Sequence, residues 1–379
     1  MILDKDLGGQ VRLFVENLDK NMKTLNIPAA WKGDELFNSP YWNYQFSGEE
    51  IAEIEATIHT LKESSNQSLE FNKLKNTLAG ISEELENGSG VVLLKGFPVK
   101  NYSEEEVIEV YMALCGEMGT LVRQSNSDVS SQFINYIKAE QSNDSYKLHT
   151  DRGDTISLLC VRQAREGGEN LLASAVTIYN EMVQSDPEIA EELFKDLPRI
   201  YEGENGWINY PLWHIHKGKF TTQHSSVYPL LSQFISGCPK LTEKQKKGMD
   251  LLQEIGLKVG VTLTLDPGDW LICNNHVVYH ARSSWKVEKG EYNRLLLGVW
   301  YSPFNSRELP DIPAFRTIWG SVEAGKPRGG FLPNHTVPLD QAITEPLSEK
   351  EAYWLAEFLK SRFKGVESIT ALTSGRGLY

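Results

Sequence analysis

His149 and Asp151, one residue apart in Leu148-His149-Thr150-Asp151, are the side chains of this sequence best placed to do chemistry. His280 follows 131 positions after His149, in Val278-Tyr279-His280-Ala281-Arg282. Side chains alternate along an extended segment, so His149 and Asp151 share a face if the segment is a strand. Two imidazoles and one carboxylate make the facial triad that holds non-haem ferrous iron and leaves positions open for oxygen chemistry. Arg294 comes 14 residues after His280, in an apolar, strand-like run. A guanidinium fixed there suits the far carboxylate of a bound oxo-acid, because its planar fork matches a carboxylate.

The other histidines offer weaker sets. His276 and His280 have the spacing that aligns two imidazoles on a helix, but their flanks are β-rich. On a strand those positions lie about 13 Å apart, so His276 is read as a bystander. His214 and His216 share a face if extended, with His224 nearby, yet no carboxylate follows two residues on. They are read as pocket wall or structural residues. The chain has no HExxH frame, GxSxG elbow, Walker loop, GxGxxG fingerprint or CxxC.

With 379 residues, 40% of them hydrophobic, and nine Trp, the chain can build one elaborated core. A formal net charge of −13 argues against general nucleic-acid or anionic-membrane binding, while leaving room for a local basic pocket. Cys115, Cys160, Cys238 and Cys273 are scattered without metal-type spacing, so a reduced, cytoplasmic compartment is expected. The first residues show no signal-peptide pattern. No apolar run approaches the roughly 20 residues that cross a bilayer. The expected partner is a small-molecule substrate, not nucleic acid or a membrane, and self-association is left open.

These residues need positioning elements. Residues 1–89 read as a helical region packed on a core, with a capping box at Ser47-Gly48-Glu49-Glu50 and Ile51, Ile54, Ile58 and Leu61 at helical spacing. Gly90 to Phe97 reads as a buried strand. Ser103-Glu104-Glu105-Glu106 caps a helix to about Glu117. Strand signals dominate from about Phe133 to Tyr301, including Ile156 to Val161, Val259 to Leu265, Trp270 to Ile272 and Leu295 to Tyr301. Asn274-Asn275 and His280 are read on one strand after the Pro267-Gly268-Asp269 turn, and Thr242 caps a helix to about Ile255. Residues 303–379 read as an extension ending in a helix after Ser348. Helices first and strands after suggest a mainly β, α+β chain whose oxygen-chemistry domain spans 90–302, not alternating βαβ units.

Taken together, Leu148 to Asp154, Gly167-Gly168-Glu169-Asn170-Leu171-Leu172-Ala173-Ser174, Pro267-Gly268-Asp269-Trp270 through His280-Ala281-Arg282, and Arg294 resemble the taurine dioxygenase superfamily of iron(II)- and 2-oxoglutarate-dependent oxygenases. Pro28-Ala29-Ala30-Trp31 and the helix after Ser47 extend the resemblance toward a fungal-type branch. The resemblance implies a double-stranded β-helix, or jelly roll. It implies His149, Asp151 and His280 as Fe(II) ligands, Arg294 on the C5 carboxylate of 2-oxoglutarate, and O2 as the oxidant. Asn170 stands where the family often has a Thr bonded to the cosubstrate. Gly298 stands where taurine-type enzymes carry a second Arg for the substrate's acid group, which speaks against a sulfonate held in that manner. Halogenating relatives replace the carboxylate of Asp151 with a small residue, so its presence favours hydroxylation, desaturation or cyclisation.

The implied reaction oxidises a C–H bond of a small molecule, an amino acid or related carboxylate, and releases succinate and CO2. Arg123, Gln124, Tyr146, Gln223 and Ser225 are the candidate substrate-binding residues, with Arg123 the expected anion holder. Two other classes stay open: a non-catalytic relative on the same scaffold, and a metallo-isomerase or hydrolase using the triad with zinc or manganese. A visible charge-transfer band with Fe(II) and 2-oxoglutarate under anaerobic conditions discriminates the first, and succinate formed under air separates an oxygenase from the second.

Overall fold

The structure is a computed structural model that describes residues 22–63, 71–124, 133–138, 145–201, 206–225, 227–233, 235, 237–288, 290 and 293–331. Its strands are β1 (Trp42–Gln45), β2 (Val91–Lys95), β3 (Gly119–Leu121), β4 (Ile134–Lys138), β5 (Tyr146–His149), β6 (Thr155–Arg162), β7 (Asn170–Ser174), β8 (Asp196–Ile200), β9 (Trp207–Pro211), β10 (Trp213–His216), β11 (Lys219–Thr222), β12 (Val261–Leu263), β13 (Trp270–Asn274), β14 (Val278–Arg282) and β15 (Leu295–Pro303). Seven of them form one sheet in the order β1-β2-β13-β6-β15-β3, with β4 also on β15. Four form a second sheet in the order β12-β7-β14-β5. The chain crosses repeatedly between the two, which is the jelly-roll arrangement expected.

Period-2 alternation explains how the larger sheet buries both faces. Leu158, Cys160, Leu271, Cys273 and Leu296 pack with Leu148, Leu172, Ala173, Val278 and Ala281 of the smaller sheet in one core. The intervening Leu159, Val161, Trp270, Ile272, Leu295 and Leu297 pack with Ile54, Leu78, Leu85, Val107, Tyr111 and Leu114 from the N-terminal helices. A strand buried on both sides reads as an unbroken apolar run, as Ile156 to Val161 does. Ser157 is the polar exception. Its hydroxyl is 2.7 Å from Tyr111 Oη and accepts the Trp270 indole N–H at 2.6 Å, so it costs little where it is buried.

The capping boxes at Ser47, Ser103 and Thr242 open the helices Gly48–Glu63, Glu104–Met118 and Glu243–Val259. Several details differ from the sequence reading. Val259 closes a helix, and the strand expected from it shrinks to Val261–Leu263. Helices Ala175–Ser185, Pro187–Glu192 and Tyr228–Ser232 interrupt a region read as strands. The sequence reading does not single out the buried Leu74–Asn87 helix, nor the parallel pairing of β1 with β2. The helix expected after Ser348 lies outside the described residues.

Candidate metal centre and its surroundings

β5 and β14 run antiparallel with His149 directly opposite His280, so both imidazoles leave the same face of the smaller sheet. Their ring centroids are 4.3 Å apart. β5 ends at His149, so Asp151 lies in the loop beyond it and not on the strand. That loop still returns the carboxylate: Asp151 Oδ2 is 3.3 Å from His280 Nε2, and Oδ1 is 3.9 Å from His149 Nε2. One ligating atom from each residue falls within 4.8 Å of the others, the one such group found among the described residues.

What fixes the loop is a set of hydrogen bonds that the sequence reading does not assign. The Asp151 N–H donates to Asn275 Oδ1 at 3.1 Å, and Asn275 Nδ2 donates to the Gly153 carbonyl at 2.9 Å. The Asn275 N–H donates to the Asp154 carbonyl at 2.9 Å. On the other side, the Thr150 N–H donates to the His224 carbonyl at 2.8 Å, and the His224 N–H to Thr150 Oγ1 at 2.9 Å. Burial favours the protonated form of Asp151, but the imidazoles of His280 and His149 and a Trp300 hydrogen bond outweigh it and hold the carboxyl below its ordinary range. His149 Nδ1 sits 2.8 Å from the Lys147 carbonyl, which leaves Nε2 facing Asp151. Two imidazoles and an ionised carboxylate on one patch fit a divalent metal of the ferrous type.

Arg294 immediately precedes β15 and is 1% exposed. Its Nε donates to Gln163 Oε1 at 3.0 Å, its Nη2 to the Gly168 carbonyl at 3.2 Å, and the guanidinium lies 4.7 Å from the Trp285 ring centroid. Nη1 is buried without a hydrogen-bond partner among the described residues, as is Asn170 Nδ2. Burial lowers the guanidinium to about 10, with Cys160 and Glu169 opposing, so it stays cationic at neutral pH. Asn170 is opposite Arg282 on β14, while Leu172 is opposite His280. Asn170 therefore sits two strand positions from the metal face, about 7 Å along the sheet. Gly168, whose carbonyl holds Arg294, follows the same line. Its φ is +79°, and a Cβ there would sit 2.9 Å from Arg294 Nε, so both backbone and space demand glycine.

The remaining sequence candidates divide. Tyr146 is half-buried on β5, its ring centroid 4.5 Å from the Arg282 guanidinium and 6.0 Å from the His149 ring. Arg123 is half-buried with Nη1 lacking a hydrogen-bond partner among the described residues. Gln124 spends its amide on the Phe133 and Gly298 carbonyls at 3.0 and 2.8 Å, a bracing role. Gln223 and Ser225 line a cavity with Arg199, Tyr210, His224 and Pro229. Ser225 Oγ also accepts from the Val227 and Tyr228 N–H groups at 3.3 Å each.

Burial pushes His214 down to about 4 and His224 to about 3, so both stay neutral. His276 lies in the turn between β13 and β14, which breaks the single strand read through Asn274 and His280. Its Nε2 is 2.6 Å from Asp154 Oδ1, it packs on Trp319, and it stands outside the triad. The sequence reading misses Arg199, although a lone arginine between Pro198 and Ile200 on an apolar strand is a usable signal.

Residues 58–300, more than half of the chain, match the family described as taurine catabolism dioxygenase TauD, TfdA. The chain belongs to that family. It is an oxidoreductase of the dioxygenase class. FR-33289 synthase of Streptomyces rubellomurinus is 27% identical to it over 79% of this chain and 96% of the relative. The taurine hydroxylase-like protein SAT17 of Stachybotrys chartarum is 24% identical over 71% of this chain and 77% of the relative. Among solved structures, asparagine oxygenase in complex with Fe(II), 3-hydroxyasparagine and succinate aligns with a TM-score of 0.55 and 14% identity, over 69% of this chain and 93% of that one. The non-heme iron oxygenase OrfP with Fe and alpha-ketoglutaric acid aligns with a TM-score of 0.51 and 14% identity, over 75% of this chain and all of that one. These likenesses establish the fold. No described helix is long and apolar enough to cross a membrane.

Proposed function

We propose that this dioxygenase uses Fe(II), 2-oxoglutarate and O2 to hydroxylate a C–H bond of a small acid, an amino acid or a close relative of one. The observation that carries the reading is the His149–Asp151–His280 patch, together with a guanidinium nitrogen of Arg294 that is buried without a hydrogen-bond partner among the described residues. Bound there, ferrous iron with 2-oxoglutarate supplies the oxidising chemistry, with succinate and CO2 released and the substrate oxidised. The chain's own residues do the positioning. His149, Asp151 and His280 would hold the metal. Arg294 Nη1 and Asn170 Nδ2 are buried donors without a hydrogen-bond partner among the described residues, which suits the distal carboxylate of the cosubstrate. The Trp285 ring centroid lies 4.3 Å from the Arg282 guanidinium and 4.7 Å from that of Arg294.

An amino-acid substrate is supported by the 3-hydroxyasparagine and dihydroxy-L-Arg captured in the asparagine oxygenase and OrfP structures. The test is aerobic incubation with Fe(II), 2-oxoglutarate and a panel of amino acids and small carboxylates. Succinate and a product heavier by one oxygen are expected from the native enzyme. Asp151→Ala should lose most turnover and bind Fe(II) more weakly, since two ligands remain. Undiminished hydroxylation by Asp151→Ala rejects the assignment.

A further inference from the structure

β5 ends in His149 and is the outermost strand of the smaller sheet, paired with β14 on its inner side. A strand in that place turns the N–H and C=O groups of alternate residues away from the sheet, where they need other partners. At Leu148, the residue before His149, one side chain takes both groups. Gln253 is half-buried on the helix Glu243–Val259. Its Oε1 accepts the Leu148 N–H at 3.0 Å, and its Nε2 donates to the Leu148 carbonyl at 2.8 Å. A primary amide carries an acceptor and a donor side by side, so it can imitate one peptide of a neighbouring strand. Gln253 Nε2 also lies 3.5 Å from His224 Nε2, and the His224 main chain is hydrogen-bonded in both directions to Thr150. Gly256, one turn further along the helix, lets it come this close: a Cβ there would collide with the Leu148 side chain and stand 3.1 Å from Ile178 Cδ1.

We propose that Gln253 is a positioning residue for the metal centre: its amide stands in for the strand that β5 lacks and fixes the backbone from which His149 projects. The proposal rests on the metal reading given under Proposed function and adds to it a residue outside the ligand set. An imidazole is only as well placed as the main chain that carries it. His149 and Asp151 leave one short stretch of chain, Leu148 to Asp151, and that stretch is held at both ends. Asn275 and the His224–Thr150 pairing hold it on the Asp151 side. Gln253 holds it on the Leu148 side, 105 positions away in sequence. The pairing of β5 with β14 does not do this alone, because its register shifts between His280 and Arg282. Without the amide, both Leu148 main-chain groups lose their partners and the strand end is free to move.

The experiment compares the native chain with Gln253→Met and Gln253→Leu, which keep an apolar stem and remove the amide. A fourth protein, Met249→Ala, opens the buried core beside the same helix and leaves Gln253 in place. Urea unfolding ranks their stabilities, and circular dichroism shows which are folded. Hydrogen exchange of the metal-free proteins, followed by mass spectrometry over residues 146–151, reads the strand end directly. Exchange there should quicken about tenfold in both Gln253 variants, the effect of losing one hydrogen bond, and stay native in Met249→Ala. Anaerobic equilibrium dialysis then measures Fe(II). The Gln253 variants should bind it about tenfold more weakly, the loss typical of groups that orient a ligand, and Met249→Ala should bind it as the native chain does. A folded Gln253 variant with native exchange over 146–151, or with native Fe(II) affinity, overturns the proposal. So does Met249→Ala losing as much Fe(II) affinity as Gln253→Met, since metal binding would then follow stability alone. A native chain that binds no Fe(II) overturns the metal reading as well, whereas tight native binding with unaltered variants overturns this proposal by itself.

Discussion

Arg294 shows at the scale of one residue how burial and charge oppose each other. A side chain this buried is rarely charged unless something compensates for the loss of water. Here Gln163, the Gly168 carbonyl and the Trp285 ring satisfy part of the guanidinium, and Nη1 is left over. We propose that the distal carboxylate of 2-oxoglutarate takes that place. Arg294→Ala should weaken 2-oxoglutarate binding by about 2–5 kcal/mol, read by anaerobic titration of the iron-loaded enzyme. Arg294→Lys should recover only part of that, because a point charge cannot reproduce the fork. Unchanged cosubstrate affinity in Arg294→Ala would falsify its role.

Elements beyond the two sheets set the shape of the ligand loop. Arg328, from the chain after β15, is buried and donates from Nε to both oxygens of Asp154 at 2.8 and 3.0 Å. Ser302 donates to the same carboxylate at 2.8 Å. Burial raises the Asp154 carboxyl, but Arg328 and His276 hold it far below its ordinary range. Nearby, the Gly330 N–H donates to the Arg152 carbonyl at 2.5 Å, and Phe331 stacks on Trp300, the hydrogen-bond partner of Asp151. The segment after β15 therefore braces the loop that follows His149. Arg328→Met should cost about 3–5 kcal/mol of unfolding free energy, because it leaves Asp154 buried and uncompensated. A double variant with Asp154→Asn should cost less than the two single changes summed. Denaturant unfolding of the four proteins measures this, and strict additivity would show that the pair is not coupled.

Across the whole molecule, buried neutral histidines link stability to pH. Burial lowers His214 to about 4, His224 to about 3 and His276 to about 4, in the last case against the pull of Asp154. Unfolded, each titrates near 6.5. Between those values the unfolded chain binds protons that the folded chain does not, so stability is fully present above about pH 6.5 and falls as pH drops. The loss between pH 7 and pH 5 should be about 2 kcal/mol per histidine and about 6 kcal/mol together. Urea unfolding across that range, with proton uptake measured at pH 5.5, checks it. A flat profile means that these imidazoles are already charged in the fold.

Local chemistry made much of this legible in the sequence. Ser47, Ser103 and Thr242 cap helices through contacts three residues away, and the runs around Val92, Leu158 and Leu297 are strands because alternate residues bury on opposite faces. The one-residue gap between His149 and Asp151 made them candidate ligands for an equally local reason. Tertiary structure alone decided the rest. Cross-strand register put His149 opposite His280 across 131 positions, and no spacing rule contains that distance. Asp151 is fixed by Asn275 and the His224–Thr150 pairing instead of by its own strand. Arg199, Gln223 and His224 meet in one wall because a long insertion between β7 and β12 folds back over the sheet, and Arg328 reaches Asp154 from 174 positions away. These are contacts between segments far apart in sequence, formed when burying apolar faces brings the sheets and their insertions together.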